Sequence, residues 1–160
     1  MKLYHGTNAE IAQIDLNKSK VGKDFGFGFY LSAERAQAEE IAVRKLEQQG
    51  TGIAKVYEYE FDEQLLQNGE LSVCHFDGYS EEWAEFVLQN RKNRTRNQLH
   101  SFDVVIGPIA DDTVGFQIRK FTQGIITLPQ FIEELKYMKG ITFQYFFATE
   151  KAINHLKPLL

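Results

Sequence analysis

The amino-acid sequence predicts a single α+β domain, and three observations carry that reading. An Ala- and Glu-rich run from Ala33 to Gln49 lies between segments rich in strand formers. A short apolar run, Phe102-Asp103-Val104-Val105-Ile106, is stopped by Gly107-Pro108, as a buried central strand would be. The most β-prone run, Ile141 to Phe147, arrives only after two helical patterns, so strands and helices intermingle without regular βαβ alternation.

Each element follows from local pattern. Residues 2–5 read as a short strand and 28–32 as a second. Ser32 is placed to cap the helix over 33–49, which Gly50 closes. From Gly52 the pattern turns to strand, with Ile53, Val56, Tyr57, Tyr59 and Phe61 as formers, ending at Asp62. A further strand is expected near 70–76. Ser80 caps an amphipathic helix in which Trp83, Phe86 and Val87 share one face, and which runs into a basic segment. After the apolar strand, helices are expected over 113–122 and 128–139, the second with Pro129 at an early position and Gly140 at its end. Residues 141–147 form the last strand, and Thr149 caps a short helix over 150–156.

Composition bounds the function. With 160 residues and 43% hydrophobic content, the chain is long enough for one domain that buries roughly 70% of its unfolded surface. No apolar run approaches the ~20 residues of a membrane span, and Met1-Lys2-Leu3-Tyr4-His5 enters a strand pattern with no cleavable hydrophobic stretch. A cytoplasmic protein that contacts no membrane is expected. The lone Cys74 cannot form an internal disulfide, and no Cys and His cluster has metal spacing, so no metal is expected. A net charge of -4 argues against a surface that grips nucleic acid throughout. One local patch stands out. Arg91, Lys92, Arg94 and Arg96 place four cations in six residues, either as a solvated helix end facing the C-terminal dipole or as a loop that docks a polyanionic acceptor.

Two motifs carry the chemistry. Leu3-Tyr4-His5-Gly6-Thr7 ends a strand in His-Gly-Thr, and Asp24-Phe25-Gly26-Phe27-Gly28-Phe29-Tyr30-Leu31-Ser32 opens an aromatic strand with alternating glycines. Together they would bring an imidazole, bare backbone amides and an aromatic ring into one crevice suited to NAD. Taken singly, His5 reads first as a partly buried histidine satisfied by backbone, and Tyr30 as a core aromatic; the glycines and the order of the motifs turn the reading to a site.

The order of these motifs, with a last strand reading Phe143-Gln144-Tyr145-Phe146-Phe147, resembles the ADP-ribosyltransferase superfamily, in the branch of diphtheria toxin and the poly-ADP-ribose polymerases. That branch carries His, Tyr and Glu on three separate strands of a split β-sheet with flanking helices. The whole chain also resembles a small bacterial family of this type, down to the Glu81-Glu82-Trp83 helix and the turn Ile109-Ala110-Asp111-Asp112. The resemblance implies that His5 bonds the adenosine ribose of NAD and that the Gly6 backbone holds the nicotinamide amide. It places Thr7 beside the ribose, Tyr30 on the nicotinamide ring and Ser32 on the carboxamide, with Gly28 among the NAD-binding residues. Gln144 stands at the place of the catalytic Glu.

Two departures follow. The helix position that supplies a second ring in the family holds Glu40, Ile41 and Ala42 here, leaving Phe27 or another phenylalanine for that face. Gln144 keeps the hydrogen bond of a Glu but lacks the charge that stabilises an oxocarbenium-like ribose, and it cannot take a proton from an acceptor ribose. Transfer of a single ADP-ribose is therefore expected over polymer formation. Glu82, Glu85, Asp111 and Asp112 are candidate carboxylates elsewhere, with an exposed helix face and a helix cap as their alternative readings. The alternative to a transferase is a weak or inactive NAD- or ADP-ribose-binding module. The resemblance also implies a protein or nucleic-acid acceptor, a toxin or phage-defence role, and a neutralising antitoxin protein as partner.

Overall fold

The computed structural model describes residues 1–138 and 140–159. In chain order it contains β1 (Lys2–Thr7), β2 (Phe29–Ser32), α1 (Arg35–Gln49), β3 (Lys55–Glu60), β4 (Val73–His75), α2 (Glu81–Lys92) and β5 (Val104–Pro108). These are followed by α3 (Asp112–Thr122), α4 (Leu128–Leu135), β6 (Phe143–Phe147), α5 (Glu150–Ile153) and β7 (Lys157–Leu159). One sheet of seven strands takes the order β4-β5-β6-β2-β1-β3-β7. The β4–β5 pair is parallel and the others are antiparallel, so the sheet is mixed.

Strand alternation divides the core in two. Leu3, Leu31, Val104, Ile106 and Phe147 point to one face, where they meet Leu65, Leu71 and the α5 residues Ala152 and Ile153. Val105 and Phe146 point to the other, against Phe25, Trp83 and Val87 of α2, Val114 and Ile118 of α3, and Phe131 and Leu135 of α4. The two faces are covered by different helices, and both are close-packed.

The ladders are uneven. β1 pairs with β3 over six residues, from Lys2 opposite Glu60 to Thr7 opposite Lys55. β2 pairs with β6 over four, and β5 with β6 over five. Between β1 and β2 a single pair, Tyr4 opposite Ser32, joins the two halves of the sheet. The middle of the sheet is thus its weakest seam. Two glycines let the chain close around it. A Cβ on Gly6 would stand 1.8 Å from the Ala38 carbonyl oxygen of α1, and one on Gly28 would stand 2.4 Å from the Phe146 ring.

Several sequence-based boundaries move. The first helix begins at Arg35 with Glu34 in the cap position, because Ser32 still pairs within β2; its hydroxyl accepts from Glu34 N at 3.0 Å without capping the helix. α4 ends at Leu135, short of the expected 139, and Lys139 lies outside the described residues. α5 ends at Ile153 rather than 156, and Lys157–Leu159 adds an edge strand that the sequence did not announce. The caps at Ser80 and Thr149 stand as expected, accepting from Trp83 N and Ala152 N.

Candidate functional site

The seam between β1 and β2 is where the sequence motifs meet. His5 sits just past the single pair that joins the strands, and its Nδ1 lies 2.6 Å from the Tyr30 carbonyl oxygen. A carbonyl only accepts, so Nδ1 carries the proton, and Nε2 of the neutral ring is left as an acceptor. The ring stacks on Phe29 with centroids 4.2 Å apart. Burial, then the charge of Lys45 and more weakly that of Lys23, push the imidazole down to about 3, against the opposing pull of the Tyr30 carbonyl. His5 is therefore a neutral acceptor at physiological pH.

Tyr30 is tied into the loop before its own strand. Its hydroxyl accepts from Phe25 N at 3.0 Å and donates to Gly26 O at 2.8 Å. Burial raises the phenol well above its usual range. The ring leans on Phe146, centroids 4.7 Å apart, and Lys23 Nζ lies 5.2 Å from its centroid. The ring thus already has a cation over it.

The rest of that loop is held from the segment after α2. Gln98 takes both polar groups of Phe27, accepting from its N at 3.1 Å and donating to its O at 2.8 Å. His100 Nε2 donates to Phe25 O at 2.8 Å, while its Nδ1 accepts from Phe102 N. Ser19 Oγ accepts from Gly28 N. With most of its backbone polar groups bonded in this way, the loop over Phe25–Gly28 forms a clasp that leads into β2.

Gln144 lies opposite Ser32 on β2 and Gly107 on β5. Its Nε2 stands 3.5 Å from Asp24 Oδ2, at the outer limit of a hydrogen bond, and Asp24 Oδ1 accepts from Arg91 Nε at 2.7 Å. His5, Tyr30 and Gln144 thus occupy three neighbouring strands, β1, β2 and β6. The carboxylate beside Gln144 is Asp24. It belongs to the glycine motif already noted in the sequence, but nothing local marks it as a partner of a residue 120 positions away.

Three lysines converge on the same region. Lys45 of α1 donates to Gly6 O at 2.8 Å. Burial, Lys23 and Lys20 together push its ammonium down to about 8. Burial and Lys20 also lower Lys23, with Asp24 opposing. Among the described residues no carboxylate forms an ion pair with any of the three. Asp24 offsets part of this repulsion at Lys23 without forming an ion pair, and the surplus of positive charge is the electrostatic character of an anion site. The sequence reading missed these lysines because they are scattered over 25 positions.

The remaining candidates are taken up by local structure or lie on the surface. Thr7 is buried and its Oγ1 accepts from Ala9 N, while the Ser32 hydroxyl is occupied by Glu34 N. Asp111 caps α3, accepting from Val114 N, and Asp112, Glu82 and Glu85 are exposed. Arg91 is committed to Asp24; Arg96 donates to Asn17 O at 3.0 Å and lies over the Phe27 ring at 4.8 Å. Arg94 lies against Gly22, while Lys92 is exposed at the end of α2. Most of the basic segment therefore braces the 17–27 loop.

Two open cavities lie away from this cluster. One of about 230 Å³ is lined by Ala33, Glu34, His75, Ile106, Phe143 and Tyr145, and one of about 710 Å³ lies around Glu60–Leu65 and Asn154–Lys157. Neither includes His5, Tyr30 or Gln144.

Among the described residues no helix is long and apolar enough to cross a membrane, and no group of three or more His, Cys, Asp or Glu could hold a metal ion. Fold and site together define a single-domain α+β protein with a mixed seven-stranded sheet, whose β1–β2 seam carries His5 on the Tyr30 carbonyl and Lys45 on that of Gly6. The chain belongs to the family described as Protein of unknown function (DUF3990), whose model matches residues 1–157. No curated protein matches it.

Proposed function

We propose that this protein is an NAD-dependent mono-ADP-ribosyltransferase acting on a macromolecular acceptor. The observation that carries the reading is the placement of His5, Tyr30 and Gln144 on the neighbouring strands β1, β2 and β6, with His5 Nδ1 on the Tyr30 carbonyl and Lys45 on that of Gly6. Each group suits a part of NAD. His5 Nε2 accepts from a ribose hydroxyl, and the lysines face the pyrophosphate. The Tyr30 face that holds Lys23 is suited to a flat cationic ring, with Lys23 displaced toward the phosphates.

In the transfer, the bond between the ribose C1′ and the nicotinamide nitrogen breaks and its electron pair leaves with nicotinamide. The acceptor heteroatom bonds C1′ and releases its proton to water. The protein's contribution is to fix the ribose and to place negative potential against the developing cation. Gln144, with its amide turned to Asp24, offers Oε1 to a ribose hydroxyl.

The test is transfer of label from adenylate-labelled NAD in a bacterial lysate. Wild type should mark a macromolecule and Gln144→Ala should lose most of that mark. Separate protease and nuclease digestion identifies the acceptor class, and growth arrest on expression tests the toxin reading. Wild-type protein that binds ADP-ribose but labels nothing would favour the second reading, a dinucleotide-binding module, to which the uncharged Gln144 lends weight. Indifference to both NAD and ADP-ribose would sink both.

A further inference from the structure

The geometry points to Asp24 as the carboxylate of the transfer site, working with Gln144 as one amide–carboxylate unit: the loop before β2 supplies the charge and β6 supplies the amide. This rests on the transferase reading above. Its ground is the arrangement at the meeting of the loop, α2 and β6. Asp24 Oδ1 is held by Arg91 Nε at 2.7 Å, and Oδ2 faces the Gln144 amide at 3.5 Å. The Asp24 side chain retains 16% of its surface, enough to meet a ligand while being fixed by its partners.

Position explains why β6 carries an amide. A glutamate at 144 would set two carboxylates about as close as the Gln144–Asp24 contact, and like charges at such range cannot both ionise freely. An amide at 144 donates to Asp24 instead. Its other end, Oε1, is then free to orient a ribose hydroxyl, while Oδ2 of Asp24 is the nearest negative charge to that hydroxyl. Charge and hydrogen bond, combined in one glutamate in the resembled enzymes, are here divided between two residues. Arg91 of α2, Lys23 beside it in the loop, Tyr30 of β2 and Tyr79 before α2 are the other charged or titratable groups in electrostatic reach of Asp24.

Two measurements test the unit. In the first, the unfolding midpoint is followed from pH 4 to pH 8 for wild type, Gln144→Glu, Asp24→Asn and the double variant. A carboxyl introduced at 144 against Asp24 has its folded-state affinity for protons raised, so its stability contribution is full at low pH and is lost as pH rises. Gln144→Glu should therefore lose several degrees between pH 5 and pH 8 relative to wild type, and the double variant should lose none. Gln144→Met, neutral and of similar length, provides the same comparison without Asp24→Asn. A flat Gln144→Glu profile overturns the unit.

In the second, single-turnover transfer from labelled NAD is measured. Asp24→Asn should fall about a hundredfold in rate with little change in NAD affinity. Adding Gln144→Glu to it should recover roughly tenfold, since amide and carboxylate have merely exchanged places. A double variant no faster than Asp24→Asn overturns Asp24 as the charge of the site. A wild type that transfers nothing, with the pH difference present, sinks the transferase reading and leaves the pair standing as a ligand-orienting device.

Discussion

Lys45 Nζ donates to the carbonyl oxygen of Gly6 at 2.8 Å, so helix α1 delivers an ammonium to the end of the strand that carries His5. A Cβ on Gly6 would collide with Ala38, about two turns earlier in the same helix. The close approach that places the lysine is thus the one that demands the glycine.

Binding of ADP-ribose should follow the charge of Lys45. With its ammonium pushed down to about 8, Lys45 is charged at pH 7 and neutral in most molecules at pH 9. Calorimetry should show wild-type affinity falling roughly tenfold over that range, and Lys45→Met should bind about as weakly at pH 7 as wild type does at pH 9. Equal affinity for Lys45→Met and wild type at pH 7 would remove the lysine from the site.

His5 makes stability depend on acid. Its folded-state value of about 3 is below the ordinary 6.5, so the unfolded chain binds the extra proton between those limits and stability falls as pH falls through them. The contribution is full above pH 6.5 and diminishes by about 1.4 kcal/mol per pH unit, roughly 2 kcal/mol by pH 5. Urea unfolding at pH 7 and pH 5 should show His5→Asn with a smaller loss than wild type. Parallel losses would mean that the imidazole is not buried as the seam requires.

Tyr30→Phe separates packing from ligand binding. The phenylalanine keeps the ring on Phe146 but leaves Phe25 N and Gly26 O without their shared hydroxyl. Stability should drop by about 1–3 kcal/mol, and the clasp should exchange its amide hydrogens faster. Tyr30→Ala removes the core contact as well and is expected to cost more, by about 3–5 kcal/mol. Unchanged hydrogen exchange at Phe25 in Tyr30→Phe would show the loop to be held by other means.

Gly6→Ala tests the fit of α1 on β1. The added carbon meets backbone rather than a movable side chain, so the helix must shift. A loss above about 4 kcal/mol is expected, read as failure to accumulate folded protein by circular dichroism. A native-like unfolding midpoint would show that α1 is free to move off the strand.

Much of this protein was written in local pattern. The caps at Ser80 and Thr149, the helix stop at Gly50 and the apolar run into Pro108 are interactions within a few residues, so sequence alone set the α+β class and the order of its elements. It also placed His5, Tyr30 and Gln144 on separate strands. Errors fell where tertiary contact outweighs propensity. Ser32 pairs with Tyr4 and so cannot begin the helix, and Lys157–Leu159, carrying a proline, becomes a strand only because β3 offers an edge for it.

What the tertiary structure alone decided is which charges meet. The order β6-β2-β1 makes neighbours of strands separated by more than a hundred residues, and the loop before β2 then lies across Gln144 with Asp24 beside it. The same folding turns Arg91 and Arg96 inward onto that loop and gathers Lys20, Lys23 and Lys45, none of them in an ion pair among the described residues. Periodicity and capping report on neighbours within a turn or a pleat. Electrostatic partners depend on strand order and register, which are set by burial across the whole sheet and leave no mark in any short stretch of sequence.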